Sequence, residues 1–125
     1  AGFIMNRRYE LLFQAKCEVG AIDGILLYPS ISKSKVNYDM DNNSIKNLFT
    51  NVDKSNVIID SIQSEEGGRF YQISNRNKLI KVNEDFSIPE NFIWLNFFQI
   101  FKLMEFGYIS IEARSIIGLI NYKDL

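Results

Sequence analysis

The sequence has no histidine and only one cysteine, Cys17, in 125 residues. The absence of histidine excludes the Ser-His-Asp triad, the Cys-His pair, histidine-ligated metals and the commonest general base at neutral pH. A single cysteine excludes an internal disulfide, which is typical of a reducing compartment and favours a cytoplasmic location. From these absences we expect no metal and no other cofactor.

Charge of one sign is not in excess either, since 14 basic residues face 15 acidic ones and the formal net charge is −1. The chain as a whole therefore has no electrostatic reason to bind nucleic acid or an anionic membrane. The most apolar stretch, residues 92–106, would span about 22 Å as a helix, which is shorter than the hydrocarbon core of a bilayer. We expect no membrane partner. Asparagine, isoleucine and lysine, which have A/T-rich codons, are abundant and point to a low-GC bacterium or its phage.

The composition, 46% hydrophobic and 23% charged, is that of one globular domain. Met5 follows four residues that begin with Ala1, and we interpret residues 1–4 as a tag remnant. Residues 5–125 are then a single α+β domain.

Residues 9–19 alternate between apolar and polar side chains with one exception, Leu12. A period of two favours a half-buried strand, but the same residue types are strong helix formers, so both interpretations stay open. Asp23-Gly24 suits a tight turn and residues 25–28 read as a returning strand, which completes a hairpin.

Further elements are separated by turn residues. Ser44 is placed to cap a short helix that ends near Phe49. Four more strands are predicted by alternation or by β-branched content, at residues 36–40, 57–62, 69–74 and 78–82.

The C-terminal third predicts two helices. Ser87 and Glu90 form a Ser-x-x-Glu capping box with a proline in the first turn, directly before the apolar segment. Gly107 suits the end of this helix and Ser110 the start of the next, in which isoleucines recur at helical spacing. The expected fold is α+β, an antiparallel sheet of about five or six strands with a C-terminal αα-hairpin packed on one face.

Eleven of the fifteen residues from Phe92 to Phe106 are large and apolar, which is too many for one buried stripe of a helix. One half of the expected helix would face the sheet. The other half would carry a second apolar seam, formed by Phe92, Leu95, Phe98 and Phe106. The simpler interpretation is that the last helix covers this seam. The alternative is that part of it stays exposed and binds a partner, since aromatic residues commonly carry most of the binding energy of an interface.

Residues 67–82 contain basic side chains, aromatic rings and no acid. Such a hairpin can bind phosphates while a ring stacks on a base, as single-strand binders do. It can equally be a sheet edge protected by its charges. The residues of this alternative site are Arg69, Tyr71, Arg76, Lys78 and Lys81.

These observations predict a protein that is not an enzyme and that acts by stoichiometric binding, as an immunity protein, an antitoxin or a phage inhibitor does. Its partner would be another protein or a second copy in a homodimer. A nucleic-acid-binding module is the alternative. A third class, an enzyme that uses carboxylates, lysine or tyrosine, remains open, but acidic pairs such as Glu84-Asp85 read as solvated loops.

Overall fold

The computed structural model describes residues 1–17, 24–32, 43–64 and 74–125, and every structural statement below refers to these residues. In chain order the elements are β1 (Gly2–Met5), β2 (Leu11–Cys17), β3 (Ile25–Pro29), α1 (Asn43–Thr50), β4 (Val57–Ser64), β5 (Ser74–Lys81), β6 (Phe92–Leu95), α2 (Phe97–Glu105) and α3 (Ile111–Ile117). Short 3₁₀ turns occupy Lys54–Asn56 and Tyr122–Asp124.

The strands form a six-stranded sheet in the order β3-β2-β1-β5-β4, and β6 pairs with β2. The α+β class, the number of strands and the two C-terminal helices are confirmed. One pair departs from the antiparallel pattern, because β1 runs parallel to β5 with Met5 opposite Lys81. The sheet is therefore mixed, and β1 and β5 end at the same edge.

Strand β1 lies in the middle of the sheet. Its residues Phe3, Ile4 and Met5 are each 0% exposed, as expected for a strand that is covered on both faces. Residues 2–4 are thus part of the core, whatever their origin. The tag interpretation of residues 1–4 stays a prediction.

Two apolar layers cover the two faces of the sheet. Helices α2 and α3 pack on one face, where Ile100 and Ile116 meet alternate strand residues such as Phe13. Helix α1 packs on the other face through Ile45. Leu12, the residue that broke the alternation in β2, is 0% exposed in this second layer. A strand buried on both faces needs no polar alternate positions.

Residues 11–17 form a strand, and β2 and β3 are antiparallel with Cys17 opposite Ile25, so the hairpin is confirmed. The short helix that ends near Phe49 and the strand from Val57 are also confirmed. The cap at Ser44 is wrong, because α1 begins at Asn43 and Ser44 lies inside the helix. The expected break at residues 75–77 is wrong, because β5 continues through it along β4, with Asn77 opposite Ser61. Asp23, the strand at 36–40 and most of the strand at 69–74 lie outside the described residues.

The expected helix start at Ser87 is wrong. Residues 92–95 are a strand on β2, an outcome that fits their aromatic and β-branched side chains. Helix α2 begins after a different capping box, in which Asn96 Oδ1 accepts from the Gln99 N–H at 2.8 Å and Gln99 Oε1 accepts from the Asn96 N–H at 2.9 Å. The expected roles of Gly107, at φ +79°, and Ser110, which caps α3, are confirmed.

No helix in the described part of the chain is long and apolar enough to cross a membrane.

Candidate functional site

The four residues of the expected apolar seam do not share one surface. Phe92 and Leu95 are strand residues, each 5% exposed, and they point into opposite layers of the core. Phe98 and Phe106, at 71% and 63% exposed, lie on and just after α2. The prediction of this seam was wrong because it assumed helical spacing for residues 92–95, which form a strand. Ile116 and Ile117 of the last helix pack in the core with Ile100 instead.

The basic residues of the alternative site are also divided. Arg76 forms a two-point ion pair with Asp60, with N–O distances of 2.7 and 2.8 Å, and this hydrogen bonding lowers the pKa of Asp60 and raises that of Arg76. Lys78 lies half-buried in β5 opposite Asp60. Lys81 ends β5 and places Nζ 4.5 Å from the centre of the Tyr9 ring. Arg69 and Tyr71 lie outside the described residues.

A groove opens where β1 and β5 end. Because the two strands are parallel, the segments that follow them, residues 6–10 and 82–86, leave the sheet side by side. Two cavities adjoin here and share Val82, Asn83 and Glu84 as a common wall. We call the one of about 130 Å³ the arginine compartment and the one of about 420 Å³ the amide compartment.

The turn from β1 to β2 is held by the Asn6 side chain. Its Oδ1 accepts hydrogen bonds from the N–H groups of Arg8 and Glu10, both at 3.0 Å, and its Nδ2 donates to Glu10 Oε1 at 2.9 Å. Within this turn Tyr9 adopts φ +61°, a left-handed conformation that costs a bulky residue on the order of 1–3 kcal/mol. The hydrogen bonds of Asn6 and the cation of Lys81 on the Tyr9 ring offset that strain. The turn therefore holds Arg7 and Arg8 at its tip.

Charge is separated across the arginine compartment. One wall carries Arg7 and Arg8, which are exposed and form no ion pair with any residue in the described ranges. The lining of the same compartment also includes Glu84 and Asp85. Two guanidinium groups without a carboxylate partner among the described residues can bind an anion, and arginine binds phosphate in a two-point geometry.

Aromatic rings also line the arginine compartment. Phe86 and Trp94 are both half-buried, and their rings pack edge to face with centroids 5.9 Å apart and planes at 71°. Trp94 is placed here by β6, in which it lies opposite Leu12 of β2. A ring held on one side by such packing offers a rigid surface on which a planar base can stack.

The lining of the amide compartment combines neutral polar, charged and apolar side chains. Helix α1 and the segment after it contribute Asn47, Asn51, Asp53 and Asn56. None of these side chains hydrogen-bonds to another residue of the described part of the chain. Their donors and acceptors are therefore available to a ligand that carries hydroxyl groups.

The groove thus combines cations, an aromatic surface, carboxylates and free amides. Cations suit a diphosphate, rings suit a base, amides suit hydroxyl groups, and carboxylates can accept or donate protons. No group of three or more acidic, cysteine or histidine side chains among the described residues is arranged to hold a metal ion. The expectation of no cofactor stays a prediction.

Comparison with known proteins decides the family. The family model of NDP-hexose 2,3-dehydratases matches residues 4–120. The chain belongs to the NDP-hexose 2,3-dehydratase family. Three relatives are each named dTDP-4-dehydro-6-deoxy-alpha-D-glucopyranose 2,3-dehydratase.

The similarity covers most of this chain. The relative from Amycolatopsis orientalis is 32% identical over 119 residues, which are 91% of this chain and 25% of the relative. The relative from Saccharopolyspora spinosa is 26% identical over 90% of the chain and 24% of its own length, and the one from Streptomyces violaceoruber is 28% identical over 89% and 26%. The chain spans about a quarter of the length of these NDP-hexose 2,3-dehydratase relatives.

Family membership overturns the functional expectation. A stoichiometric binder of the immunity, antitoxin or phage-inhibitor kind is wrong, as are the alternative of a nucleic-acid-binding module and the statement that the chain is not an enzyme, because the family and its named relatives are dehydratases. The expected partner, another protein or a second copy in a homodimer, is wrong for the same reason. The inference failed because a lack of histidine excludes only histidine chemistry, while carboxylates, lysine and tyrosine can also transfer protons.

Apart from Lys81, the residues that line the groove were missed by the sequence reasoning. Arg7 and Arg8 stand directly after an apolar strand, and Asn47 and Asn51 are four residues apart, which places them on one side of a helix. Both patterns are visible in the sequence. Neither indicates a site, because only the parallel pairing of β1 and β5 and the packing of α1 bring them to one groove.

Proposed function

We propose that this chain is part of an enzyme that removes water from C2 and C3 of an NDP-linked 4-dehydro-hexose, and that the groove binds this nucleotide sugar. The observation that carries the proposal is the family match over residues 4–120. The names of the relatives supply the substrate class, a dTDP-linked 4-dehydro-6-deoxyhexose. Because the chain is about a quarter of their length, activity is proposed for the enzyme to which it belongs.

In this proposal the diphosphate binds to the turn that holds Arg7 and Arg8. Both guanidinium groups are exposed and lack an ion-pair partner among the described residues, so binding a phosphate does not require breaking an existing pair. The base then lies on the aromatic side of the compartment, against Trp94. This arrangement fits a nucleoside diphosphate better than a free sugar phosphate, which has no base to stack.

The reaction needs groups that transfer protons. A ketone at C4 acidifies the C3 hydrogen, so a base can remove that proton and the electrons pass to the carbonyl oxygen. Their return expels the C2 hydroxyl, which leaves as water once it is protonated. In the groove, Glu84 and Asp85 are carboxylates in the lining of the arginine compartment, and we assign proton transfer to them.

Calorimetric titration of the chain with dTDP tests the binding function. We expect saturable binding with a Kd below about 100 μM, and competition by the 4-dehydro-6-deoxyhexose derivative of dTDP. Thymidine, which lacks phosphates, should bind at least about tenfold more weakly because it cannot use Arg7 and Arg8. Absence of binding by any of the dTDP compounds would overturn the proposal.

A cytoplasmic location, expected from the single cysteine, belongs to the same proposal. Fractionation of the source cells tests it, since we expect the protein in the fraction freed of membranes and periplasm.

A further inference from the structure

We infer that the amide compartment is the hexose subsite of the groove and that it determines which NDP-linked hexose is bound. This inference rests on the proposed function, in which the arginine compartment takes the diphosphate. It adds a second subsite with its own residues, on a different element of the fold.

Position links the two compartments into one path. Val82, Asn83 and Glu84 line both compartments, which therefore lie next to each other. A ligand held at Arg7 and Arg8 can extend past these three residues into the amide compartment. In a nucleotide sugar the hexose is attached directly to the diphosphate. The amide compartment is also the larger of the two, at about 420 Å³ against about 130 Å³.

The chemistry of the amide compartment suits a neutral polyhydroxyl group. Asn47, Asn51 and Asn56 each offer amide donors and an acceptor, and Asp53 offers acceptors only. The only cationic residue of its lining is Lys81, whose Nζ lies over the Tyr9 ring. The negative charge of a phosphate would meet few cations in this compartment, whereas sugar hydroxyls can both donate hydrogen bonds to its side chains and accept them.

Apolar groups complete the lining. Leu48 and Val52 lie between the amide positions and are half-buried in the core layer under α1. The C–H face of a hexose, or a methyl group at C6, can pack on such side chains. A subsite that pairs amides with a small apolar patch distinguishes a 6-deoxyhexose from a hexose with a C6 hydroxyl.

The compartment is supported by rigid elements. Ile45, two residues before Asn47, is 0% exposed in the core and anchors α1 to the sheet. The N–H of Asn51 donates to the Asn47 carbonyl at 2.9 Å and extends the last turn of the helix. The backbone positions of Asn47 and Asn51 therefore keep a fixed spacing.

The test compares two ligands on one protein. Calorimetry measures the Kd of dTDP and of dTDP-glucose, a probe without the reactive C4 ketone, for the unchanged chain and for an Asn47→Ala, Asn51→Ala double variant. We expect dTDP-glucose to bind the unchanged chain about tenfold more tightly than dTDP, and the variant to lose that gain while its Kd for dTDP stays within about twofold. A 6-deoxy derivative should gain further affinity that a Leu48→Ala variant loses.

Controls keep the outcomes distinct. Asn47→Ala alone is a second variant, and it preserves α1 because alanine is favoured within a helix. It should reduce the advantage of dTDP-glucose over dTDP by about threefold. Asn91→Ala changes an exposed asparagine that lines neither compartment and should leave both constants unchanged. A dTDP-glucose gain that survives the double variant, or that is absent from the unchanged chain, would overturn the hexose subsite. Failure of dTDP itself to bind would overturn the proposed function.

Discussion

Two groups of exposed arginines, one in a strand and one in a turn, differ in the residues that surround them. Arg76, in the middle of β5, meets Asp60 across the strand pair and forms a two-point ion pair at 2.7 and 2.8 Å. Arg7 and Arg8, at the tip of the turn after β1, have no ion-pair partner in the described part of the chain. The basic segment that stood out in the sequence is thus partly neutralised, and the arginine pair that did not stand out is available.

The difference follows from local geometry. In a sheet, a side chain has a cross-strand neighbour at a fixed distance, so an arginine beside an acidic strand residue is readily paired. In the turn, the Asn6 side chain accepts hydrogen bonds from two backbone N–H groups and donates one to the carboxylate of Glu10. Glu10 is thus bound to Asn6 and forms no ion pair with Arg7 or Arg8. A count of positive charges along the sequence therefore says less about a binding site than the partners that the fold supplies.

The largest expected effect is on nucleotide binding. Replacing both Arg7 and Arg8 by glutamine should weaken dTDP binding about a hundredfold, because two charge-assisted hydrogen-bonding groups are lost at the diphosphate. The matched Arg76→Gln variant should bind dTDP as the unchanged chain does. Calorimetry on both variants makes the comparison, and equal losses in the two would refute the distinction drawn here.

A smaller loss is expected at the aromatic surface. Trp94→Leu keeps an apolar side chain in the half-buried position and removes the ring on which a base can stack, so dTDP binding should weaken about tenfold. Phe98→Leu, on the exposed face of α2, serves as the control and should change nothing. If the ratio of dTDP to inorganic pyrophosphate affinity is the same in the Trp94→Leu variant and the unchanged chain, the base does not lie on Trp94.

The turn itself should respond in both stability and binding. Asn6→Ala removes the acceptor for two backbone N–H groups and leaves the strained Tyr9 conformation without support, which should lower the free energy of unfolding by about 1–2 kcal/mol. Binding of dTDP should weaken about threefold, since the arginines lose their fixed position. Urea unfolding and calorimetry give the two values. Asn6→Asp retains the acceptor for the two N–H groups but places a second carboxylate against Glu10, so it should recover only part of the stability.

The smallest effect concerns the paired arginine and depends on pH. The hydrogen bond from Arg76 lowers the pKa of Asp60 below its ordinary value of 3.8, so the pair stabilises the fold above that value and its contribution is lost as the pH falls through the lowered pKa. Both side chains are largely in water, at 62% and 34% exposed, and the effect should be small. Urea unfolding of Asp60→Asn should show a slight destabilisation at neutral pH that disappears in strong acid. A difference that persists in acid would mean that the pair is not its cause.

Local elements were predictable where neighbouring residues determine them. The end of α2 at Gly107 and the cap of α3 at Ser110 were predicted correctly, because caps act over three or four positions. The β2–β3 pairing and helix α1 were also predicted, although Ser44 lies inside α1 and does not cap it. The start of α2 was misplaced because two capping boxes, at Ser87 and at Asn96, compete in the sequence. The choice depends on β2, which pairs with residues 92–95 and is distant along the chain.

Composition and local pattern by themselves determined the α+β class and the two C-terminal helices, since hydrophobic periodicity and caps are local properties of the chain. The site was decided only by tertiary structure. Its arginines, carboxylates, tryptophan and amides come from four separated segments, and they meet because β1 runs parallel to β5 and α1 packs beside their common end. Parallel pairing joins residues about 75 positions apart, such as Gly2 and Lys78, and no local pattern in the sequence records it.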